Sequence, residues 1–402
     1  MNARFSEEQN IFTADERSTP IVLTMLLEEL GVKKVVNAWG TITLLGGTTM
    51  SDGVVDAMRE ASKVYVDIKD LHKKAGDHIA KMLGVEAACI VSGATAGLIL
   101  STAACIAAGD SRKILSLPKT SGGDKNKVLV QQLHRNPFAK SLATAGAEVI
   151  FFGSSERTEE VDLKNSIGDK TAGVMYFAFD PQPGVLTLDR VVRVAHGYGV
   201  PVIVDAASEL PPVENLRNFI ATGADLVVFS GGKAIGAPND TGLVIGRRDL
   251  IETIIRLEYY ETVGSETFAL LGRPMKVSKE DVLALVTALK QYVGRDHTGE
   301  MKQWDTKVQY MITGLSRSKK LPIPKLVYPG YGHEPRPLNI PIAALDFDGD
   351  GPNAAKEMSD KLKSGNPPIW AYVKDNVLFL NPQCLQDDEE KIVVSRLLEL
   401  AG

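Results

Sequence analysis

Seven short, strongly apolar segments recur between about residues 74 and 295, and stretches with helical periodicity separate several of them. Their length and β-branched content are typical of strands that are buried on both faces of a sheet. Parallel strands need a crossover connection, which is usually an α-helix. The sequence therefore predicts an α/β fold in which helices cover a mostly parallel sheet. The candidate strands span residues 87–93, 127–131, 148–153, 172–179, 200–207, 224–231 and 241–247.

The part of the chain that follows this α/β core has a different order of elements. A long helix is predicted over 279–293, and after the Pro- and Gly-rich stretch 321–341 come a strand, a helix, two strands and a final helix. This order predicts a small α+β domain. We therefore divide the 402-residue chain into an N-terminal arm (1–40), a large domain (41–295) and a small C-terminal domain (296–402). The cleft between the two domains is the expected place for chemistry.

Composition and charge exclude several classes of protein. Hydrophobic residues make up 44% and charged residues 24% of the chain, as in most soluble globular proteins. The net charge is -5, and the N-terminus lacks the apolar core of a signal peptide. We therefore expect a cytoplasmic protein that binds neither nucleic acid nor membranes. Cys89, Cys105 and Cys384 show no CxxC spacing and are expected in the core. The histidines show no metal-ligand spacing, so no metal site is predicted.

Two polar residues stand directly after neighbouring apolar strands. Asp205 closes one buried strand, and Lys233 follows the next strand in a Ser-Gly-Gly-Lys loop. Open α/β sheets bind ligands at the carboxyl ends of their strands. An acid and a lysine in this arrangement suit pyridoxal 5'-phosphate, because the lysine amine forms a Schiff base with the aldehyde and the acid keeps the pyridine nitrogen protonated. The alternatives for the single residues are a solvated loop lysine and a helix-capping or ion-paired aspartate.

A phosphate-bearing cofactor also needs an anion site. The strand at 87–93 runs into a turn of small residues and a helix start. The backbone N–H groups of Gly93, Ala94 and Thr95, with the Thr95 hydroxyl, are predicted to hold the phosphate there. Ser230, in the lysine loop, is predicted to add a hydroxyl. A nicotinamide dinucleotide remains an alternative, although the turn lacks GxGxxG spacing, and the missing Lys-Ser/Thr of a P-loop disfavours a nucleotide hydrolase.

His134 follows the strand at 127–131 and is expected at the same edge of the sheet. Its imidazole is predicted to stack on the ring of the cofactor. As a single histidine it is equally compatible with an ordinary loop residue.

Several strings of residues are similar to those of one family of pyridoxal-phosphate proteins. The chain resembles proteins related to bacterial selenocysteine synthase, L-seryl-tRNA(Sec) selenium transferase, and particularly the shorter members that include D-glucosaminate-6-phosphate ammonia-lyase. GRPMKVSKE is the most specific string, because composition gives no reason to expect it. The similar strings are VVNAWGTITLLGG (35–47), IVSGATAGL (90–98), HRNPF (134–138), VPVIVDAASELPP (200–212), FSGGKAIGAPNDTGLVIGR (229–247), GRPMKVSKEDV (272–282) and NPPIWAY (366–372).

The resemblance implies the aspartate-aminotransferase-like fold, fold type I, with a large parallel-sheet domain and a small α+β C-terminal domain. It implies Lys233 as the Schiff-base lysine, Asp205 on the pyridine nitrogen and His134 over the ring, with residues 93–95 on the phosphate. It also implies a homodimer or a higher homo-oligomer whose active sites lie at the subunit interface.

Two departures from this family bear on function. Selenium transferases carry an additional N-terminal tRNA-binding domain, whereas VVNAWG begins here by residue 35 and the net charge is negative. Selenium transfer onto tRNA is therefore disfavoured. After Lys233 the chain reads GAPND, where relatives usually have a GPQ string, so substrate contacts in this loop are expected to differ.

These observations predict a pyridoxal-phosphate lyase of the ammonia-lyase or dehydratase type, acting on a small amino acid or amino sugar acid with a β-leaving group. Lys233 would act as the base, and Arg336 or Arg273 would bind the substrate carboxylate, unless they are structural ion-pair residues. A racemase or epimerase and an aldolase need the same lysine and acid and remain alternatives. A Rossmann-type oxidoreductase and a non-catalytic relative that binds the cofactor are alternatives of a different class.

Overall fold

The computed structural model describes residues 26–178, 182–328, 337 and 339–402. The strands are β1 (Val36–Ala38), β2 (Ala87–Val91), β3 (Lys127–Gln131), β4 (Glu148–Phe152), β5 (Thr171–Phe177), β6 (Val202–Asp205), β7 (Leu226–Ser230), β8 (Gly242–Gly246), β9 (Tyr260–Val263), β10 (Glu266–Ala269), β11 (Lys325–Val327), β12 (Ile342–Asp346), β13 (Ile369–Lys374) and β14 (Val377–Leu380). The α-helices are α1 (Asp52–Ser62), α2 (Ile68–Leu83), α3 (Ala94–Ala107), α4 (Ser111–Ser116), α5 (Glu160–Ser166), α6 (Leu188–Gly197), α7 (Asn215–Ala221), α8 (Arg248–Leu257), α9 (Lys279–Val293), α10 (His297–Leu315), α11 (Ala354–Lys363) and α12 (Glu389–Ala401).

The segments predicted as strands in the large domain all lie in one seven-stranded sheet, in the order β2-β8-β7-β6-β5-β3-β4. The pairs that run from β7 through β6, β5 and β3 to β4 are parallel. The mostly parallel sheet is therefore confirmed. β8 is antiparallel to both β7 and β2, because it returns from β7 through the short loop that carries Lys233 and not through a crossover helix.

Helices cover both faces of this sheet. α3 packs on the face that presents Val91, Val228 and Val244, where a Cβ at Gly97 would lie 2.7 Å from Val228 Cγ1. Glycine at this position therefore allows the helix to approach the sheet closely. The opposite face packs against α2, α6 and α9. The segment after β3 forms a 3-10 helix, Pro137–Ala145, in place of the predicted α-helix. Among the described helices, none combines the length and the apolar character needed to cross a membrane.

A second sheet has the strand order β1-β13-β14-β12-β11. The predicted series of strand, helix, two strands and helix is confirmed as β12, α11, β13, β14 and α12. β1 completes this sheet by pairing in parallel with β13, with Val36 opposite Ile369. The sequence pattern did not reveal that pairing, nor helix α10 and the exposed hairpin β9–β10. The domain boundaries after residues 40 and 295 stay a prediction, and residues 1–25 of the predicted arm lie outside the described residues.

Two of the three cysteines lie in the core, as the sequence predicted. Cys89 and Cys105 are buried in the core of the seven-stranded sheet. Cys384 is only partly buried, because it lies in the loop after β14, where its Sγ is 3.9 Å from the carbonyl oxygen of Gly47.

One buried carboxylate connects β6, β7 and β8 at the edge of the sheet where β6 and β7 begin and β8 ends. Asp225 is 6% exposed and accepts hydrogen bonds from Val202 N–H at 2.8 Å, His196 Nε2 at 2.8 Å and Arg247 Nη1 at 3.0 Å. Val202 begins β6, and Arg247 follows β8. Asp225 therefore connects the strands whose other ends carry Asp205 and the lysine loop.

The two carboxylates that share Arg247 provide a matched test of this connection. We expect Asp225→Ala to lower the free energy of unfolding by about 3 kcal/mol, because the hydrogen bonds to the buried carboxylate are lost and the buried N–H of Val202 is left without its acceptor. Asp249, which is 63% exposed in its pair with Arg247, is the control, and Asp249→Ala is expected to cost at most about 1 kcal/mol. Urea unfolding measures both, and equal losses in the two variants would contradict the assignment.

Candidate active site

The predicted site residues meet at the carboxyl-end edge of the seven-stranded sheet. In the strand register, Phe177 lies opposite Asp205, and Asp205 lies opposite Val228. At the next pair of strands, Gly242 lies opposite both Ser230 and Val91. The ends of β2, β5, β6 and β7 and the start of β8 therefore form one continuous rim, as expected for ligand binding in open α/β sheets.

Two of the predicted side chains on this rim share a face of the sheet. Successive residues of a strand point to opposite faces, so residues two apart point to the same face. Asp205 therefore shares the face of Ile203, and Ser230 shares the face of Val228. Ile203 and Val228 belong to the core that packs against α3. Asp205 and Ser230 are therefore on the side of the sheet on which α3 begins. Asp205 Oδ1 also accepts a hydrogen bond from Ala207 N–H at 3.0 Å, which fixes the carboxylate.

Lys233 lies in the helical turn Gly231–Ile235 that follows β7, and its own backbone departs from helical conformation. Its Nζ donates a hydrogen bond to the Ser208 hydroxyl, three residues beyond Asp205. Its carbonyl oxygen accepts a hydrogen bond from Thr48 Oγ1 at 2.9 Å. The lysine is thus held at both ends, at the tip by the turn after β6 and at the backbone by a segment near the start of the chain.

The turn that was predicted to hold a phosphate joins β2 to α3. Gly93 has φ +89° and ψ 160°, a conformation that is open essentially only to glycine. Its N–H donates to the carbonyl of Val91 at 2.9 Å, which leaves the N–H groups of Ala94 and Thr95 as the candidates for binding an anion. These belong to the first turn of α3, where N–H groups have no intrahelical acceptor and the helix dipole favours an anion. The Thr95 side chain is exposed.

Glycines bring this turn against the strand that follows the lysine loop. A Cβ at Gly242 would lie 2.6 Å from the carbonyl carbon of Gly93 and 2.9 Å from the Ala94 nitrogen. Both atoms belong to the backbone, so no side chain can move aside to make room. Gly242 therefore allows the start of α3 to lie directly beside the strand that follows the lysine loop.

His134 is fully buried at the end of β3, beside the end of β5. Its Nδ1 accepts a hydrogen bond from Phe177 N–H at 3.2 Å, so the proton of the neutral ring is assigned to Nε2. The ring meets that of Tyr176 edge-on, with 4.7 Å between centroids. Burial lowers the pKa of His134 to about 3, so the imidazole is neutral at physiological pH. His134 lies at the end of β3, two strands from Asp205 at the end of β6, with β5 between them.

The two arginines proposed for the substrate carboxylate are not brought to this rim within the described residues. Arg273 Nε donates to Tyr260 Oη at 2.6 Å, and its guanidinium lies 4.9 Å from the centre of that ring. It therefore stands against the hairpin β9–β10. Arg336 lies outside the described residues.

A cavity of about 500 Å³ lies next to the lysine loop. It contacts that loop at Ala234 and Gly236, after Lys233, and it contacts the N-terminal segment at Thr48. Gln383 and Gln386, from the loop after β14, line its other side. The cavity thus borders the backbone of the lysine loop, whereas Lys233 Nζ is directed to Ser208.

Three residues at the site were not found from the sequence. Ser208 is part of the VDAASELPP string, so its proximity to Asp205 was a usable signal. No sequence signal indicated Thr48, because it is 185 residues away in the chain from its partner Lys233. Gln131 had none either, although its side chain contacts His134 Nδ1 at 3.3 Å and holds the Leu186 N–H at 3.0 Å.

Comparison with known proteins places the chain in a family. The family model described as L-seryl-tRNA selenium transferase matches residues 35–386. The chain belongs to this selenium transferase family. A curated relative, 5'-C-glycyluridine monooxygenase-decarboxylase of Streptomyces sp, is 33% identical, over 94% of this chain and 92% of the relative. L-seryl-tRNA(Sec) selenium transferase of Rhizobium meliloti is 25% identical, over 89% of this chain and 81% of the relative.

A third relative of the family is similar in both sequence and structure. D-glucosaminate-6-phosphate ammonia lyase of Salmonella typhimurium is 29% identical, over 94% of this chain and 98% of the relative. A solved D-glucosaminate-6-phosphate ammonia-lyase superposes with a TM-score of 0.79 at 29% identity, over 94% of this chain and 98% of that chain. The aspartate aminotransferase of Thermotoga maritima superposes with a TM-score of 0.54 at 12% identity, over 96% of this chain and 97% of that chain.

The predicted fold class is therefore confirmed as fold type I, and the protein is a pyridoxal-phosphate-dependent enzyme of the selenium transferase family. The residues on the rim fit that cofactor. A helix N-terminus approached closely by Gly242 is available for the phosphate, a carboxylate lies at the end of β6, and a lysine amine lies above the same edge of the sheet. These are the donors that a phosphate, a pyridine nitrogen and an aldehyde require.

The close approach at Gly242 gives a test of the anion site. We expect Gly242→Ala to weaken pyridoxal-phosphate binding by about tenfold or more, because the new methyl group displaces the Gly93–Ala94 backbone. Equilibrium dialysis of the apoenzyme measures the dissociation constant. Gly168→Ala is the control, since a Cβ at Gly168 meets nothing within 4 Å. Unchanged binding in Gly242→Ala would show that the cofactor does not use this turn.

Proposed function

We propose that this protein is a pyridoxal-phosphate lyase that removes ammonia from a small amino acid or amino sugar acid by α,β-elimination. The observation that carries the proposal is the common rim of Asp205, Lys233 and the start of α3, in a chain that is 29% identical, over nearly its whole length, to an ammonia lyase. The similarity supports ammonia-lyase chemistry, and the small-molecule substrate is our inference.

When bound, pyridoxal phosphate supplies an aldehyde that bonds an amine and a ring that withdraws electrons from the α-carbon of that amine. In our proposal the N–H groups of Ala94 and Thr95, with the hydroxyls of Thr95 and Ser230, hold the phosphate. The Asp205 carboxylate holds a proton on the pyridine nitrogen. His134 is neutral, so it adds no charge near the ring. Because it is fully buried, its stacking on the ring stays a prediction.

Lys233 has two successive roles in this proposal. Its Nζ would hold the cofactor through the aldehyde, and it would be free for a second role once a substrate amine is bound there. The freed Nζ takes the proton from the α-carbon as general base. The β-substituent, for example a hydroxyl that leaves as water, departs with the electron pair of its bond to the β-carbon. Hydrolysis of the amino acid that has lost its β-substituent adds one water and yields a 2-oxo acid and ammonia.

The substrate carboxylate needs a cation, best a bidentate guanidinium. Arg273 is partly exposed beside β9, which leaves it available to a ligand or to a second copy of the chain. Arg336 remains the other candidate. We also propose a homodimer or a higher homo-oligomer, as the resemblance implies, and the division into residues 1–40, 41–295 and 296–402.

A second candidate function is oxidative decarboxylation. The observation that favours it is the 33% identity to a 5'-C-glycyluridine monooxygenase-decarboxylase, with 92% of that relative covered. Loss of carbon dioxide from an amino acid needs the same electron-withdrawing cofactor, but it consumes oxygen in that relative's named reaction and needs no β-leaving group. Racemisation and retro-aldol cleavage also use the same lysine and acid.

The attachment of the cofactor is tested first. We expect the purified protein to be yellow and to retain pyridoxal phosphate after borohydride reduction, with the label on the peptide that contains Lys233. Lys233→Ala should lose this label completely. Lys170→Ala, which changes an exposed lysine at the opposite end of β5, should retain it. Mass spectrometry of the digested protein locates the label, and a label that survives in Lys233→Ala would contradict the role of Lys233.

The reaction is tested with a panel of D- and L-β-hydroxy amino acids and D-glucosaminate 6-phosphate. We expect 2-oxo acid and ammonia in equal amounts with at least one member, because elimination and hydrolysis release them together. Inversion at the α-carbon without 2-oxo acid would instead favour a racemase, and release of an aldehyde would favour an aldolase. Oxygen uptake with release of carbon dioxide would favour oxidative decarboxylation.

A further inference from the structure

The amine of Lys233 is held by a residue that neither the sequence motif nor the family comparison identifies. Lys233 Nζ donates a hydrogen bond to Ser208 Oγ. From this contact we infer that Ser208 is a positioning residue for Lys233, which directs Nζ toward the cofactor aldehyde. The inference rests on the proposed function, in which Lys233 is the anchoring lysine and base.

The position of Ser208 is fixed relative to the strand that carries Lys233. The turn after β6 begins with Ala206, whose N–H donates to the Val228 carbonyl of β7 at 2.9 Å. Glu209 N–H then donates to the Ala206 carbonyl at 3.1 Å, and Asn215 Nδ2 donates to the Glu209 carbonyl at 2.7 Å. Ser208 lies inside this bonded turn. Its hydroxyl is therefore a defined point above the carboxyl-end edge of the sheet.

The backbone of the lysine is fixed from another direction. Thr48 donates its hydroxyl to the Lys233 carbonyl at 2.9 Å and its N–H to the Gly232 carbonyl at 3.1 Å. The long, flexible stem of the lysine lies between this anchored backbone and Ser208. Lysine loses substantial rotamer entropy when it is ordered, so a contact that holds its tip before the reaction removes that cost from the attachment step.

A hydroxyl suits this task better than a carboxylate. The oxygen of a serine hydroxyl accepts a hydrogen bond from an N–H of Nζ in the ammonium form and in the neutral amine alike, and the lone pair of the neutral amine then stays available to the aldehyde. A carboxylate in its place would favour the ammonium form, which has no lone pair to react. Ser208 therefore holds Nζ through both protonation states. Asp205 and Glu209 are the carboxylates on the same turn.

Attachment of the cofactor is the step in which this contact acts. The lone pair of neutral Nζ forms the bond to the aldehyde carbon, and both amine hydrogens leave with the aldehyde oxygen as water. The atoms balance without a further reactant. Ser208 orients the lone pair at the start of this step, so its loss slows the step without changing the groups that bind the phosphate.

The experiment follows uptake of pyridoxal phosphate by the apoenzyme in stopped flow, through the violet absorbance of the attached cofactor, with borohydride fixation as the end point. It therefore needs no substrate. We expect Ser208→Ala to take up the cofactor about tenfold more slowly than wild type, since a tenfold change corresponds to the net strength of one protein hydrogen bond. Ser208→Thr, which keeps the hydroxyl, should restore the rate to within about twofold. Ser208→Cys keeps the size of the side chain but forms weaker hydrogen bonds, and it should resemble Ser208→Ala.

Ser166→Ala is the matched control, because Ser166 is also half-buried and its hydroxyl bonds only the carbonyl of Asp162 at 2.8 Å on α5. It should take up the cofactor at the wild-type rate. Thermal unfolding identifies any variant that does not fold. If Ser208→Ala does not fold, the uptake rates of Ser208→Cys and Ser208→Thr test the inference. Wild-type rates in Ser208→Ala, or a Ser208→Thr variant as slow as Ser208→Ala, would overturn the inference while Lys233 labelling stands. If borohydride fixes no cofactor on Lys233 of the wild type, the proposed function fails first.

Discussion

The parallel hydrogen-bond register of β5, β6 and β7 is the constraint on which the site depends. Neighbouring strands lie about 4.8 Å apart, so residues that are opposite each other in the register are automatically close. Phe177, Asp205 and Val228 are aligned in this way. Because parallel strands all end at the same edge, the acid at the end of β6 and the loop that follows β7 lie close together without any further contact between them. A register shift of one residue would turn Asp205 to the other face of the sheet.

Close contact between backbones is the second requirement, and glycine supplies it. A Cβ at Gly47 would lie 2.1 Å from the Gly232 carbonyl oxygen, and one at Gly232 would lie 2.4 Å from the Asn239 Cα. Together with Gly242 against Gly93, these contacts bring three segments of backbone around the lysine loop. Larger residues at these points would move the start of α3, the lysine loop and the N-terminal segment apart.

The second sheet takes part in the site through β1. The pairing of β1 with β13 connects the start of the described chain to its C-terminal part. After β1, the chain contacts the lysine loop through Gly47 and Thr48. The cavity beside the lysine loop is lined by this N-terminal segment, by the lysine loop and by the loop after β14. The backbone of Lys233 is thus linked by hydrogen bonds to a segment that also belongs to the other sheet.

The sequence by itself determined the fold class, the large-sheet strands and the order of elements after residue 340, because buried strands and amphipathic helices have local periodicities that a single chain displays. It also indicated Asp205, Lys233 and the turn at Gly93, since each stands next to a recognisable strand end. Only the tertiary structure decided the antiparallel position of β8, the pairing of β1 with β13, and the contacts of Lys233 with Thr48 and Ser208. These depend on contacts between residues far apart in the chain, and hydrogen-bond partners of that kind leave no periodic signal in a sequence.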